Sequence, residues 1–344
     1  MVISKKQSWI IGIIVVIVLA GIGVYRFYKA RFLGSQLPDT VRTESKGLYK
    51  ITYDTIAVDE VAGSLFVRNV AIVADTNLIL SSRANVTDSA GGGNDEEIEI
   101  PSVIMNLKAE SVVVYGVETP RALLNKEISG NKLIVKNASL DLYRLAQPEK
   151  SRNDSSDDKS GADVIEKIYA DVLKQLSLVQ IDTIRLENIN ISYRDFKTKK
   201  LILSSNNVSL NLHDLRIDSN TLHDRTRVLF SKNIEFNADT IRLRDPKSIY
   251  DFSFHHLRIN TGLKELKLGA IKISPILGED AFVHQFKTQK DRFDFSMKDL
   301  TIRGIAPGSL ATGELYADSM FVAGSRFMIY RDLTIPRDDL SRVG

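Results

Sequence analysis

Ile181–Asn188 reads IDTIRLEN, and Ala238–Asp245 reads ADTIRLRD, so one pentapeptide, Asp-Thr-Ile-Arg-Leu, is written twice. Four further octets share its grammar: AGSLFVRN at Ala62–Asn69, AESVVVYG at Ala109–Gly116, GNKLIVKN at Gly130–Asn137 and ADSMFVAG at Ala317–Gly324. Each opens on a small or polar pair, alternates apolar with any residue, and closes on Gly, Asn or Asp. A unit used at least six times is an internal repeat, which bears on the architecture before any single segment does.

The alternation has period two. Ile184 and Leu186 point one way and Arg185 and Glu187 the other; after a break near Asn188, the apolar series resumes at Ile189, Ile191 and Tyr193. Leu133–Tyr143, Leu201–Leu215, Ile234–Leu243, Leu257–Ile259, Leu266–Ile273 and Phe293–Ile302 follow the same rule. Strands with one apolar and one polar face belong to antiparallel sheets that are solvated on one side. The closing Gly, Asn or Asp supplies turn or bulge chemistry that lets the next strand begin. The expected fold is mainly β: an elongated, curled antiparallel sheet built from strand repeats, with one N-terminal transmembrane helix and one short amphipathic helix. About fifteen strands at ~4.8 Å spacing would reach about 70 Å.

The net charge of +3 conceals an asymmetry. Residues 1–38 carry Lys5, Lys6, Arg26, Lys29 and Arg31 and no acid, which is +5, so the remainder is −2. A near-neutral body lacks the clustered basic face that nucleic acid requires. The absence of cysteine excludes disulfides, thiolate metal sites and a Cys nucleophile. From Gln7 to Tyr25 no residue is charged, and Trp9–Ala20 is WIIGIIVVIVLA. At 1.5 Å per residue this matches a hydrocarbon core ~30 Å thick, with Trp9, Tyr25 and Arg26 at its interfaces. A cleavable signal peptide ending near Val18-Leu19-Ala20 is the alternative; the apolar run continues past it through Ile22 and Val24. The resulting organisation is a cytoplasmic tip at 1–6, an anchor at 7–25, a juxtamembrane linker at 26–47 and a β domain at 48–344. The β domain is expected on the outer side of the membrane.

Two stretches interrupt the strands. Residues 84–98 and 147–162 are polar, charged and rich in Gly and Ser, and read as loops. Gly91-Gly92-Gly93 lacks the Lys-Ser/Thr and helix start of a phosphate loop. A helix is expected over 162–178, where Val164, Ile165, Ile168, Val172, Leu173 and Leu176 share one face and Ser160 with Asp163 resembles a capping box. Its expected task is to cover a sheet edge or one end of the interior.

Catalytic signatures are missing. The histidines are His213, His223, His255, His256 and His284, without HExxH, GxSxG, a Walker loop, GxGxxG or paired carboxylates. His255 and His256 face opposite sides of a strand and cannot share a metal, and His213 and His223 read as solvated residues of a hairpin. No catalytic residue, metal or cofactor is assigned, and the chain reads as a non-enzyme. Five Asn-x-Ser/Thr sequons (Asn85, Asn137, Asn153, Asn190 and Asn207) read as coincidence in an Asn- and Ser-rich chain.

The apolar face has two readings: a closed core packed against a second layer, or a trough holding acyl chains. The candidate lining residues are Val112, Val114, Leu133, Val135, Ile184, Leu186, Ile191, Ile241, Leu243, Met320 and Val322.

A single N-terminal span, then SLFVRNVAI at Ser64–Ile72, then repeats of the form D-T-I-x-L-x-N-x-x-I-x-Y-R-D, resembles the AsmA-like proteins of the bacterial envelope, the Bacteroidota members above all. Their Tyr-Arg-Asp stretch is matched by Tyr193-Arg194-Asp195 and Tyr330-Arg331-Asp332, and more weakly by Tyr143-Arg144. The resemblance covers most of the chain but marks strands, not a site. It implies a curled sheet with a hydrophobic groove, anchored in the inner membrane with its β domain in the periplasm. The implied role is lipid transport between membranes or outer-membrane assembly, with membrane phospholipid as ligand and envelope proteins as possible partners. The alternative is a non-transporting envelope scaffold with a closed core that pairs through a sheet edge. The chain stops at Gly344 soon after Ile335-Pro336-Arg337-Asp338, which in similar proteins leads into further repeats, so a short member or an N-terminal fragment is expected.

Overall fold

The computed structural model describes residues 37–59, 61–81, 103–116, 127–145, 169–170, 173, 176–221, 224, 226–244, 249–306 and 315–337. Period-two alternation yields one twelve-stranded sheet: β1 (Tyr49–Thr52), β2 (Thr55–Asp59), β3 (Ser64–Ala74), β4 (Val103–Tyr115), β5 (Glu127–Arg144), β6 (Leu178–Asp195), β7 (Leu201–Ile217), β8 (Ser231–Leu243), β9 (Tyr250–Asn260), β10 (Glu265–Pro275), β11 (Arg292–Arg303) and β12 (Ser319–Tyr330). The order is β1-β3-β4-β5-β6-β7-β8-β9-β10-β11-β12, and β2 shares the β3 edge with β1. The sheet is open and curled. Among the described residues no second sheet faces it.

Two expectations are corrected. The sheet has twelve described strands instead of about fifteen, because the octets are not separate strands. The strands reach 18 residues, and Asn69, Asn137 and Asn188 lie inside β3, β5 and β6. Nor is pairing wholly antiparallel: β5 and β6 run parallel, with Val135 opposite Leu186. Parallel neighbours need a long crossover, usually helical, and the chain between Arg144 and Leu178 supplies it. Tyr169 and Leu176 of that crossover are buried, and Leu173 packs on the same core. The Tyr169 hydroxyl donates to the Asp218 carbonyl at 2.7 Å, and its ring stacks on Phe230 at 5.8 Å. The described part of the expected helix therefore does cover the interior; the rest of it, and most of both expected loops, lie outside the described residues. So does the apolar span with Trp9, Tyr25 and Arg26. In the expected linker, Leu37–Glu44 forms helix α1, whose Pro38 and Asp39 suit a first turn. A second short helix, α2, spans Glu279–Val283 and buries Phe282 and Val283.

A seam crosses the sheet. On every strand from β3 to β12, residues sharing the interior face advance by two except at the seam, where they advance by three: 67 to 70, 109 to 112, 135 to 138, 186 to 189, and so on to 322 to 325; β5 to β8 carry a second such step, at 130 to 133, 181 to 184, 212 to 215 and 231 to 234. The extra residue is left-handed in Asn69 (φ 51°), Asn137 (49°), Asn188 (54°), Asn207 (50°), His256 (54°) and Asp299 (51°). Asn and Asp reach this conformation more readily than other residues because their short polar groups bond locally. An extra residue on each strand bends it and keeps the apolar set on one face. The Asn side chains are tied along the seam: Asn69 Nδ2 donates to Asp54 Oδ2 (2.5 Å), Asn137 Nδ2 to Glu110 Oε2 (2.5 Å), Asn188 Nδ2 to Asn137 Oδ1 (2.7 Å) and Asn207 Nδ2 to Asp239 Oδ2 (2.6 Å). Gly269 sits between His256 and Asp299, where an added Cβ would lie 3.3 Å from His256 Cβ.

Candidate functional site

Register places all eleven candidate residues on one face. Val112, Val135, Leu186 and Met320 belong to a single apolar row, Val67–Val112–Val135–Leu186–Leu210–Phe236–Ile259–Leu266–Ile302–Met320, that crosses ten strands without a polar residue. Val114, Leu133 and Ile184 lie in the next row with Leu65, Leu212 and Ile234. Beyond the seam, Val322 continues Leu257–Leu268–Leu300, Ile191 and Ile241 flank Ser205, and Leu243 follows Tyr193 and Leu203. The two pentapeptide copies thus sit on opposite sides of the seam: Ile184 and Leu186 precede it in β6, whereas Ile241 and Leu243 follow it in β8.

Accessibility divides this face in two. Val114, Leu133, Val135, Ile184, Leu186 and Ile191 are buried, Ile184 completely, within a core that runs from β1 to β8. Val112, Ile241 and Leu243 are half-buried on the same rows. From β9 onward the face is only partly covered: Leu268, Leu300 and Ile302 form a small buried cluster, while the residues farther beyond the seam are more open. Phe252, Phe254, Ile271, Ile273, Phe295 and Met297 are half-buried, and on β12 Met320 is 68% and Phe327 57% exposed. Besides Met320 and Val322, the open half is lined by residues outside the candidate set: Phe252 and Phe254, Phe293 and Phe295, and Phe327 and Ile329. Their signal was present as Phe-x-Phe alternation in DFSF and RFDF, without marking them as more accessible than β4 to β6. Phe293 and Phe295 meet Phe327 with centroids 5.8 and 6.3 Å apart. Among the described residues β12 is the unpaired edge of the sheet, with Phe321 and Met328 adding apolar surface on its other face. Ser205 and Ser231 interrupt the interior, 3% and 0% exposed, and neither hydroxyl finds a partner among the described residues.

The Tyr-Arg-Asp stretches prove to be rim chemistry at one end of the strands. Arg144 Nη2 pairs with Asp195 Oδ2 at 3.3 Å, and Arg331 pairs with Asp291 through two contacts. Asp195 Oδ1 also accepts the Thr198 N–H (2.8 Å) and hydroxyl (2.9 Å), and Asp332 Oδ1 accepts those of Thr334 (2.8 and 2.6 Å), so each Asp folds the turn after its strand. The Thr198 N–H, ahead of the Arg144 pair, holds the Asp195 carboxyl below its ordinary range. Burial, only partly offset by Arg144, raises the Tyr193 phenol. Lys199 lies 4.0 Å from the Phe196 ring centroid, and Phe196 meets Tyr143 edge-on.

The histidines stand apart. His213 lies within β7, not in a hairpin turn, because β7 continues to Ile217 past a second left-handed residue, Asp214. His223 is outside the described residues. His255 Nδ1 is 3.3 Å from Thr240 Oγ1, while the neighbouring His256 is the seam residue of β9. No group of three metal-binding side chains occurs among the described residues, and no helix among them is long and apolar enough to cross a membrane. No family model matches this chain, and no curated protein matches it in sequence.

Proposed function

We propose that the protein binds lipid acyl chains along the open half of its apolar face, between β9 and β12. The reading is that of an inner-membrane-anchored envelope protein serving lipid transport or outer-membrane assembly. The observation carrying it is the continuity of the interior rows: the Val67 row stays apolar from a fully packed region into one where Met320 meets solvent. A large exposed apolar surface on a sheet wants a cover. An acyl chain fits rows spaced by strand separation, and the resemblance to AsmA-like proteins points the same way.

The test is native mass spectrometry and solvent extraction of the full chain purified in mild detergent. Phospholipid in defined ratio, lost in Met320→Asp or Val322→Asp proteins that still fold, supports the proposal. A lipid-free protein from lipid-rich extracts refutes it. The second reading, a scaffold with a closed core, is favoured by the packing of β4 to β7, where Ile184 and Leu212 admit no ligand. Under that reading Met320→Asp leaves every lipid measurement unchanged.

A further inference from the structure

A second concavity, of about 680 Å³, lies at the rim where β7, β8, β9 and β10 end, lined by polar-face residues together with Ile202, Leu243, Phe252 and Ile276. Register assigns its floor. Arg242 of β8, Ser253 of β9 and Lys272 of β10 form one row on the polar face, and Asp251 and Ser274 pair in the next. The Arg244 N–H donates to the Ile202 carbonyl at 2.7 Å, which brings Lys200 and the start of β7 to the same rim. The acid among the described lining residues, Asp251, is engaged by Arg244 through two contacts. Lys200, Arg242 and Lys272 have no carboxylate partner among the described residues. The Ser274 Oγ is buried, lines the same cavity and has no hydrogen-bond partner among the described residues.

We propose that this concavity is an anion site for a phosphate group, whether free, on a small phosphomonoester or on a lipid headgroup. Arg242 and Lys272 stand on strands either side of β9, so their Cα atoms are ~10 Å apart at ordinary strand spacing. Ser253, short and hydroxylic, lies between them. Two cations at that separation over a small hydroxyl residue leave room for a tetrahedral oxyanion that both side chains reach. Arg offers two parallel donors and Lys a point charge, which suit phosphate oxygens. An anion there would also give the Ser274 hydroxyl an acceptor, and a buried hydroxyl without one is costly. The Arg244–Asp251 pair removes the repulsion that a bare Asp251 would exert. Arg242, Ser253 and Lys272 lie on the face opposite the apolar rows, whose Leu243 and Phe252 reach only the rim of the cavity, and the proposal does not rest on the lipid reading of those rows.

The experiment is isothermal titration of the full chain with glycerol phosphate and with inorganic phosphate. Flotation with vesicles of phosphatidylcholine, with and without phosphatidylglycerol, distinguishes the headgroup source from the soluble one. Arg242→Gln, Lys272→Gln and Ser274→Ala are compared with Arg185→Gln, an outward-facing cation of β6 away from the cavity. The expected result is saturable binding of one phosphate group per chain, weakened tenfold or more by Arg242→Gln and by Lys272→Gln. Ser274→Ala weakens it severalfold, and Arg185→Gln leaves it unchanged. Equal weakening by Arg185→Gln would reduce the effect to diffuse surface charge and overturn the proposal. Absence of saturable binding to every probe, with the circular dichroism spectrum intact, would overturn it as well.

Discussion

Replacing Asn137 with valine tests the seam through the sign of its effect. In a regular strand, Asn→Val stabilises by up to ~1 kcal/mol, because a β-branched side chain suits a pleated surface. Here Asn137 holds φ 49°, its Nδ2 donates to Glu110 Oε2, and its Oδ1 accepts from Asn188. A left-handed backbone costs a bulky L-residue ~1–2 kcal/mol, and two exposed hydrogen bonds add ~0.5 kcal/mol each. Asn137→Val should therefore destabilise by roughly 2 kcal/mol. Asn137→Gly accepts the backbone angle but loses both bonds and gains unfolded-state freedom, so it should cost about 1 kcal/mol. Equilibrium urea unfolding of the full chain, followed by far-ultraviolet circular dichroism, should rank wild type above Gly and Gly above Val. The double substitution with Asn188→Val should be less than additive, since the two residues share a bond. A valine variant as stable as the wild type, or more so, would refute the seam and return β5 to a regular strand.

Ile184→Ala, at a completely buried position, should cost 2–5 kcal/mol, whereas Met320→Ala on exposed β12 should shift the urea midpoint little. Equal losses would contradict the division of the apolar face. Burial pushes the Asp218 carboxyl up, but Arg216, the Asn220 N–H and the Thr221 hydroxyl outweigh it and hold the group at about 2. A depressed folded pKa means that this stability is complete above the unfolded carboxylate range near 4 and is lost as pH falls through 2. Acid titration of the unfolding midpoint should lose part of its slope between pH 4 and 2 in Asp218→Asn, and an unchanged slope would sink the assignment. Asp195→Ala should lower stability by about 1 kcal/mol through the lost turn bonds to Thr198. Most of that loss should persist in high salt, because the Arg144 pair is surface-exposed and screened; full rescue by salt would contradict the turn role.

Alternation in IRLEN and ISY was enough to establish a β protein with a single apolar face, because side-chain period is a local property of extended backbone. It also sorted all eleven lining candidates onto that face, and the break noticed at Asn188 is the seam itself. Octet similarity could not tell a strand from half a strand: Asn137 reads identically as a turn or as a mid-strand bulge until its neighbours Glu110 and Asn188 are in place. The parallel step between β5 and β6 was hidden because direction is set by how the crossover carrying Tyr169 and Leu176 packs. Burial was hidden too. Leu186 and Met320 occupy one register row and look alike in sequence, yet one is sealed and the other faces solvent. Composition decides which residues can be interior, whereas exposure depends on which strands the curl and the crossover cover, and among the described residues β12 has no neighbour beyond it.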